Sequence, residues 1–414
     1  MRKEEKHDII EQVRWKYYKA NRSKKKLILD EIVLRYGYHR KHAIRLLRRL
    51  SPGRKASPSK RGRKAVYDIA EVKVSLKRIW AAMNFACSKL VQAAMPEWLG
   101  YIEKHYGAIS DDSKKLLLQM SAATIDRLLS SARADSKHGR SGTKPGSIIR
   151  KEIPIRTGFW NETIPGFVEA DTVAHCGGSL AGNFAWSITL TDIATTWTEC
   201  RATWNKGAVG VIEQIGDIEN MLPFPLLGFD SDNGAEFLNW HLLRYLTERN
   251  TPVKFTRSRE YHKNDNAHVE QKNWSFPRQI FGYERFGYSE LIPLMNDLYR
   301  NEISLLRNHF CPTFKLKERI LVKARYRRKY DKPKTPYQRV MESTAIPEDK
   351  KQELSLLHQS LDPILLQRSI QKKTKVIFNL LKQLKREEGN IIRLTSASIG
   401  TLEPKVFLGI RESA

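Results

Sequence analysis

The chain has 414 residues, 41% of them hydrophobic and nine of them tryptophan, so it can bury real cores and wholesale disorder is excluded. Lys+Arg number 73 against 45 Asp+Glu, a formal charge of +28, and at roughly 100–200 residues per domain the length suggests about two to four domains. Cys87, Cys176, Cys200 and Cys311 lie far apart with no CxxC pair, which argues against a disulfide scaffold or a cysteine-built zinc finger and fits a reducing cytosol. The N-terminal MRKEEKHDII lacks an apolar signal segment. No run approaches the roughly 18 apolar residues of a membrane span. The expectation is a cytoplasmic protein with no membrane association.

The charge is unevenly spread. Residues 1–150 carry 35 Lys+Arg and 14 Asp+Glu, a net of +21; residues 151–310 carry 15 and 20, a net of −5; the remainder is net +12. Basic flanks around an acidic centre fit a chain whose ends hold a polyanion while its middle binds metal cations.

Residues 8–50 read as helices. KKKLILDEIVLR places Leu27, Ile28, Ile32 and Val33 on one side, and the helix stops near Gly37. YHRKHAIRLLRRL then turns Ala43, Ile44 and Leu47 inward and leaves Arg40, Lys41, Arg45, Arg48 and Arg49 outside. Helix, Gly-containing turn and basic helix is the helix-turn-helix pattern, whose second helix enters the major groove. An ordinary helical hairpin with a solvated basic face has the same pattern. Residues 51–65 are too cationic and too poor in apolar groups to pack, and read as a basic linker. A second helical block spans 66–135. Within it LLLQMSAATIDRLLSSAR is a further helix-turn-helix candidate, with Ser121 as N-cap, Ile125, Leu128 and Leu129 inward, and Thr124 and Arg127 outward as DNA contacts. Plain helix packing explains it equally. Residues 136–157 form a second linker.

From Gly166 the period changes. FVEADTVAH, AWSITLTDI and TWTECRATW are β-branched and aromatic runs. A helix (208–221), a strand in PLLGFDSD, a helix (235–247), a strand in PVKFTRS and a helix from about Asn266 follow, which together predict a mixed α/β sheet. The region after residue 310 is basic and predicted mostly helical, with no fold assigned.

Three acids stand where acids are costly: Asp171 at the end of the first strand, Asp232 at the end of the fourth, and Glu270 on the following helix, with 37 residues between the last two. Carboxylates at strand ends and on an adjacent helix can converge on one point, and hard cations such as Mg2+ take oxygen ligands. A pair of such ions assists in-line phosphoryl displacement. A turn-forming role for any strand-end Asp is equally open on spacing, and Asp230 competes with Asp232.

The motifs EADT, SDNGAEF and NDNAHVEQKN, around Asp171, Asp232 and Glu270, resemble those of the DDE recombinases: retroviral integrases and bacterial insertion-sequence transposases with an RNase H-like core. Their order and the gap between the last two match the family pattern, over about 158–340. The resemblance implies an α/β RNase H-like mixed-sheet core behind helix-turn-helix modules, with a basic helical region at 341–414. It further implies a metal-binding catalytic triad of Asp171, Asp232 and Glu270 that uses Mg2+ (or Mn2+) to cut element ends and join 3′-hydroxyls to target DNA. Double-stranded DNA and a homodimer or larger assembly on it are the implied partners, with the protein on the nucleoid when bound. Asp232 is chosen over Asp230 because the motif places its acid directly before Asn-Gly.

Of the other polar residues, Asp192 reads as a turn or surface group, and the neighbours His175 and Cys176 cannot build a tetrahedral zinc site. His262 and His268 read as DNA-facing or structural. Lys272, Asn273 and Arg278 read as DNA contacts or a solvated helix face. Two departures stand out: no His/Cys zinc module precedes the core, so end recognition would use the helical blocks, and Pro277 would kink the Glu270 helix. The alternative functions are a non-catalytic DNA-binding regulator or decayed copy, and a nuclease that cuts without joining.

Overall fold

A computed structural model of the chain describes residues 3–48, 66–133, 162–232, 234, 236–258, 269, 272–322 and 325–399. Both proposed linkers, Arg49, His262, His268 and Glu270 lie outside the described residues. The chain divides into two compact units, Met1–Val66 and Tyr67–Ala414.

The first unit is three helices: α1 (Lys3–Lys19), α2 (Arg22–Tyr36) and α3 (Arg40–Arg48). Asn21 caps α2 by accepting the Lys24 N–H at 3.0 Å. Gly37 ends it in the left-handed region, at φ 65°, with its N–H on the Val33 carbonyl. Tyr17, Leu29, Ile32, Ala43 and Leu47 form the core. Leu27, expected inward, is 68% exposed. The buried stripe of α2 is chosen by where α1 and α3 pack, which helix periodicity by itself leaves open. Arg40, Lys41, Arg45 and Arg48 are exposed, as expected.

The second unit begins with α4 (Ala70–Ala82), α5 (Ser88–Tyr106), α6 (Asp111–Gln119) and α7 (Ala122–Arg133). Ser121 Oγ accepts the Thr124 N–H at 3.3 Å, the expected cap. Thr124 does not face out: it is 9% exposed and takes a hydrogen bond from Arg127 Nη2 at 3.1 Å. This block has no separate core. Val72, Ile79, Trp98 and Leu129 share one apolar cluster with Leu291, Tyr299, Phe310, Ile377 and Leu381, and Trp98 Nε1 donates to the Phe310 carbonyl at 3.0 Å.

The five expected strands form one sheet, β1 (Phe167–Ala174), β2 (Ala185–Asp192), β3 (Thr198–Trp204), β4 (Gly228–Ser231) and β5 (Lys254–Arg257), in the order β3-β2-β1-β4-β5. The first three pair antiparallel, and β4 and β5 lie parallel to β1. Val168, Ala170, Ile188, Leu190, Phe229 and Phe255 bury one face with α8 (Ala208–Met221) and α9 (Trp240–Thr247). Helix α9 starts later than expected because Asn239 caps it, accepting the Leu242 N–H at 2.9 Å.

Pro277 produces a widened turn, not a break: Trp274–Arg278 is π-helical and runs into a helical turn at Gln279–Phe281. A proline lacks the N–H of the regular ladder and crowds the carbonyl four residues back, and widening the turn relieves both. Helices α10 (Leu291–Leu298) and α11 (Ser304–Phe310) follow, joined by a second π-helical stretch.

The basic region then departs from the helical expectation. Strands β6 (Leu316–Val322) and β7 (Arg325–Tyr330) form a separate two-stranded ribbon in which Arg319 stands opposite Arg328. Its base is tied by Asp331, which accepts the Lys315 N–H at 2.9 Å and pairs with Arg339. Few strands carry so many Lys and Arg, which hid this one from a reading based on apolar alternation. Helices α12 (Pro336–Glu342), α13 (Glu348–Ser360) and α14 (Pro363–Ile399) complete the described chain. Among the described residues no helix is long and apolar enough to cross a membrane.

Candidate active site

The parallel register of β1 and β4 sets Glu169 beside Asp230 and Ala170 beside Ser231. One residue further, Asp171 and Asp232 therefore stand at the same level on neighbouring strands, whose spacing is about 4.8 Å. Asp171 is still within the sheet, opposite Thr189 of β2, whereas Asp232 is the first residue after β4. Alternation along β1 sends Val168 and Ala170 into the core under α8 and α9 and turns Glu169 and Asp171 to the other face.

Each acid has its own constraints. Asp171 accepts its neighbour Thr172 N–H at 2.7 Å on Oδ1 and the Asn273 side-chain amide at 2.5 Å on Oδ2. Asp232 Oδ1 accepts the Gly234 N–H at 3.0 Å. Burial, and then the nearby Glu236 carboxylate, push the Asp232 carboxyl up to about 6, against the opposing pull of the Gly234 N–H and Lys206.

Glu236 is a buried carboxylate beside these two half-buried acids, 3% exposed, that the sequence reading quoted inside SDNGAEF without singling out. Its Oε1 accepts the Thr172 hydroxyl at 2.6 Å and the Lys206 ammonium at 2.8 Å, and its Oε2 has no hydrogen-bond partner. Lys206, whose ammonium also lies 4.0 Å from the Trp186 ring centroid, carried no sequence signal at all. Glu236 thus links the β1 residue next to Asp171 with the loop after Asp232. Gly234 is required there by space: a Cβ would sit 2.7 Å from the Glu236 Cδ and Oε2 and 2.8 Å from Asp232 Oδ1.

Asp230, the competing acid, is fully buried and accepts the Thr256 hydroxyl of β5 at 2.6 Å. Glu169 beside it accepts the Val269 N–H at 3.3 Å. Glu270 lies outside the described residues, between helical Val269 and Lys272. Among the described residues no three acidic, His or Cys side chains form a group that could hold a metal.

The residues after Glu270 behave differently from a solvated face. Lys272 is 8% exposed, and burial followed by repulsion from Arg307 and Arg339 lowers its amine to about 7. Asn273 points at Asp171, and Arg278 donates to the Gly282 carbonyl at 3.2 Å. Asp192 forms a turn, but a buried one: it accepts the Gly166 and Thr195 N–H groups and the Thr195 hydroxyl, at 1% exposure. His175 is fully buried against Phe281 and Phe286, with Nε2 on Ser187 Oγ at 2.7 Å.

No model of a known protein family matches the chain. It is 38% identical over 335 residues to the uncharacterized protein y4rM of Sinorhizobium fredii (strain NBRC 101917 / NGR234), covering 80% of this chain and 94% of that one. The chain belongs to the y4rM family. The solved structures similar to this y4rM-family chain include a simian T-cell lymphotropic virus intasome in complex with the PP2A regulatory subunit B56 gamma. Identity there is 15%, over 58% of this chain and 73% of that chain, with a TM-score of 0.32. The catalytic core domain of BIV integrase is 16% identical over 26% of this chain and 62% of that one, with a TM-score of 0.20. Overlaps of that size leave the y4rM-family fold to be read from its own topology.

Proposed function

We propose that this chain is a DNA transposase: a DDE polynucleotidyl transferase with an RNase H-like core that cuts at element ends and joins the 3′-hydroxyls to target DNA. The observation that carries the reading is the register that brings Asp171 and Asp232 side by side although 60 residues separate them in the chain. A mixed sheet of order β3-β2-β1-β4-β5 with the two acids level on its neighbouring strands β1 and β4, and the three motifs around Asp171, Asp232 and Glu270, support the same reading.

Glu270 is the proposed third acid. It stands three residues before Asn273, whose side-chain amide reaches Asp171. The donor set suits a hard divalent cation such as Mg2+, with Mn2+ as substitute: adjacent carboxylates, one of them raised by burial and the Glu236 carboxylate, favour a positive charge between them. When bound, such ions stabilise the charge on the attacking and leaving phosphodiester oxygens. Asn273 orients the Asp171 carboxylate, and Glu236, anchored by Thr172 and Lys206, holds the loop that carries Asp232.

In the first step water attacks phosphorus and frees a 3′-hydroxyl. In the second that hydroxyl attacks a target phosphodiester, so one phosphodiester is exchanged for another and no nucleotide triphosphate is consumed. The exposed cations of α3, Arg40, Lys41, Arg45 and Arg48, together with Arg127, are proposed to hold DNA phosphates. Two element ends call for at least a dimer on DNA, and the proposed location is the cytoplasm, on the nucleoid.

The test uses labelled DNA flanking the gene with Mg2+ or Mn2+, comparing wild type with Glu270→Gln. Metal-dependent nicking and joined products that vanish in the variant are expected. DNA binding with no cleavage in either metal would leave the DNA-binding regulator as the reading, and cleavage without joined products would leave the nuclease.

A further inference from the structure

The segment that carries Asn273 also lines an open cavity of about 230 Å3. Phe85, Trp274, Phe276 and Phe314 contribute aromatic walls, and Lys272 and Arg307 contribute cations. Trp274 and Lys272 flank Asn273, the residue hydrogen-bonded to Asp171, so the cavity adjoins the candidate active site along the chain itself.

Two features separate it from an ordinary surface dimple. Phe85 is 59% exposed and Trp274 37%, and Phe85 is presented by an unusual backbone: Asn84 and Phe85 are consecutive left-handed residues, with φ 54° and 61°. A bulky residue such as Phe85 rarely adopts this backbone, so other contacts must hold the turn. Asn84 Nδ2 donates to Gln279 Oε1 at 2.8 Å, Gln279 Nε2 donates back to the Asn84 carbonyl at 3.3 Å, and Arg307 Nη2 donates to Gln279 Oε1 at 3.1 Å. The strained loop is thereby fastened to the segment carrying Trp274.

The second feature is charge. Lys272 is nine-tenths buried, and among the described residues neither it nor Arg307 forms an ion pair with a carboxylate. Arg307, without a carboxylate partner and with the Lys272 amine beside the same cavity, is enclosed by aromatic faces and is complementary to an anion attached to a flat ring.

Building on the transposase reading, we propose that this cavity receives one unpaired nucleotide of the DNA strand at the active site. Its base would lie against Trp274 and Phe85 and its phosphate near Lys272 and Arg307. The cavity is large enough to take a single base. A free nucleotide has the same chemistry, but a site continuous with the Asp171 anchor is better placed for a nucleotide within the cut strand.

The test is fluorescence anisotropy with a 25-base-pair duplex ending in three unpaired nucleotides, against the same duplex with abasic residues in those three positions, and with deoxyadenosine monophosphate as competitor. Stacking of one base contributes about 1–3 kcal/mol, or roughly 5- to 150-fold. Wild type should therefore prefer the base-bearing end at least about 5-fold. Trp274→Ala should lose that preference and Trp274→Phe keep most of it, while both still bind the abasic duplex as wild type does. Misfolding would weaken both duplexes together, so the ratio reads the cavity alone. Equal binding of the two ends by wild type, or an undiminished preference in Trp274→Ala, overturns the proposal and leaves the transposase reading intact. Wild type that binds neither duplex overturns both. Displacement of the base preference by millimolar deoxyadenosine monophosphate supports the cavity, but free nucleotide bound with no preference between the duplexes assigns it to a small molecule and overturns the strand assignment.

Discussion

Asn273 donates its side-chain amide to Asp171 Oδ2 at 2.5 Å, joining residues 102 positions apart in the chain. The contact binds the helix that follows Glu270 to the central strand of the sheet. It also restricts the Asp171 carboxylate, whose Oδ1 is already taken by the Thr172 N–H. Removing the amide frees one oxygen to turn away. Asn273→Ala should lower cleavage about 10- to 100-fold, the usual cost of losing a partner that orients a metal ligand, with the melting temperature little changed. Full cleavage in a folded Asn273→Ala protein would show that Asp171 is oriented by other means.

Gly234 is the tightest point of the site, because a methyl there meets both the Glu236 carboxylate and Asp232 Oδ1. Glu236 cannot easily yield, being held by Thr172 and Lys206. Gly234→Ala should therefore displace Asp232, abolish measurable cleavage and cost about 1–3 kcal/mol of stability, the range for overpacking a filled site. Cleavage assay and denaturant titration on one preparation check the two halves together. A fully active Gly234→Ala variant would mean that the carboxylates part at no cost.

Acid should destabilise the larger unit through its buried histidines. Burial lowers His309, stacked on Tyr337, to about 3, and lowers His175 to about 3 as well. The unfolded chain takes up these protons near pH 6.5 and the folded chain does not. The stability from keeping the rings neutral is thus fully present above about 6.5 and is lost as pH falls toward 3, by up to about 1.4 kcal/mol per pH unit for each ring. His309→Phe, which keeps a ring beside Tyr337, should flatten the fall in thermal stability between pH 6.5 and 4. An identical slope in the variant would remove His309 from the account.

On α3 the cations are not equivalent. Arg40 pairs with Asp30 inside its own unit, whereas Arg45 and Arg48 are exposed and have no carboxylate partner among the described residues. Each phosphate contact contributes about 0.9 to the log–log salt slope of DNA binding. Replacing Arg45 and Arg48 together by Gln should reduce that slope by up to about 2, and Arg40→Gln should change it by less than about 1. Equal effects per residue would make the Asp30 pair irrelevant to binding.

Much of this protein is legible locally. β-branched and aromatic runs marked the first three strands of the sheet and short runs in PLLGFDSD and PVKFTRS the other two, and Gly37 and Ser121 marked a helix end and a helix start. Such signals depend on a few neighbouring residues, so a linear reading captures them. The ribbon at 316–330 escaped because its strands intersperse Lys and Arg without a clean apolar alternation, and at Pro277 the spacing along the chain gave no sign of the π-helical turn.

What the linear order determined by itself is the set of strands in the sheet, the exposed cations of α3 and an acid just after β4; Asp171, expected at a strand end, lies within β1. What only the tertiary structure decided is which groups meet. The β1–β4 register sets Asp171 level with Asp232, the sheet's pleat buries Asp230 against Thr256, and helix packing turns Lys272 inward and Asn273 onto Asp171. Periodicity reports which face a residue occupies relative to its neighbours. Partners from distant segments are chosen by long-range packing, which the spacing of residues along a chain does not encode.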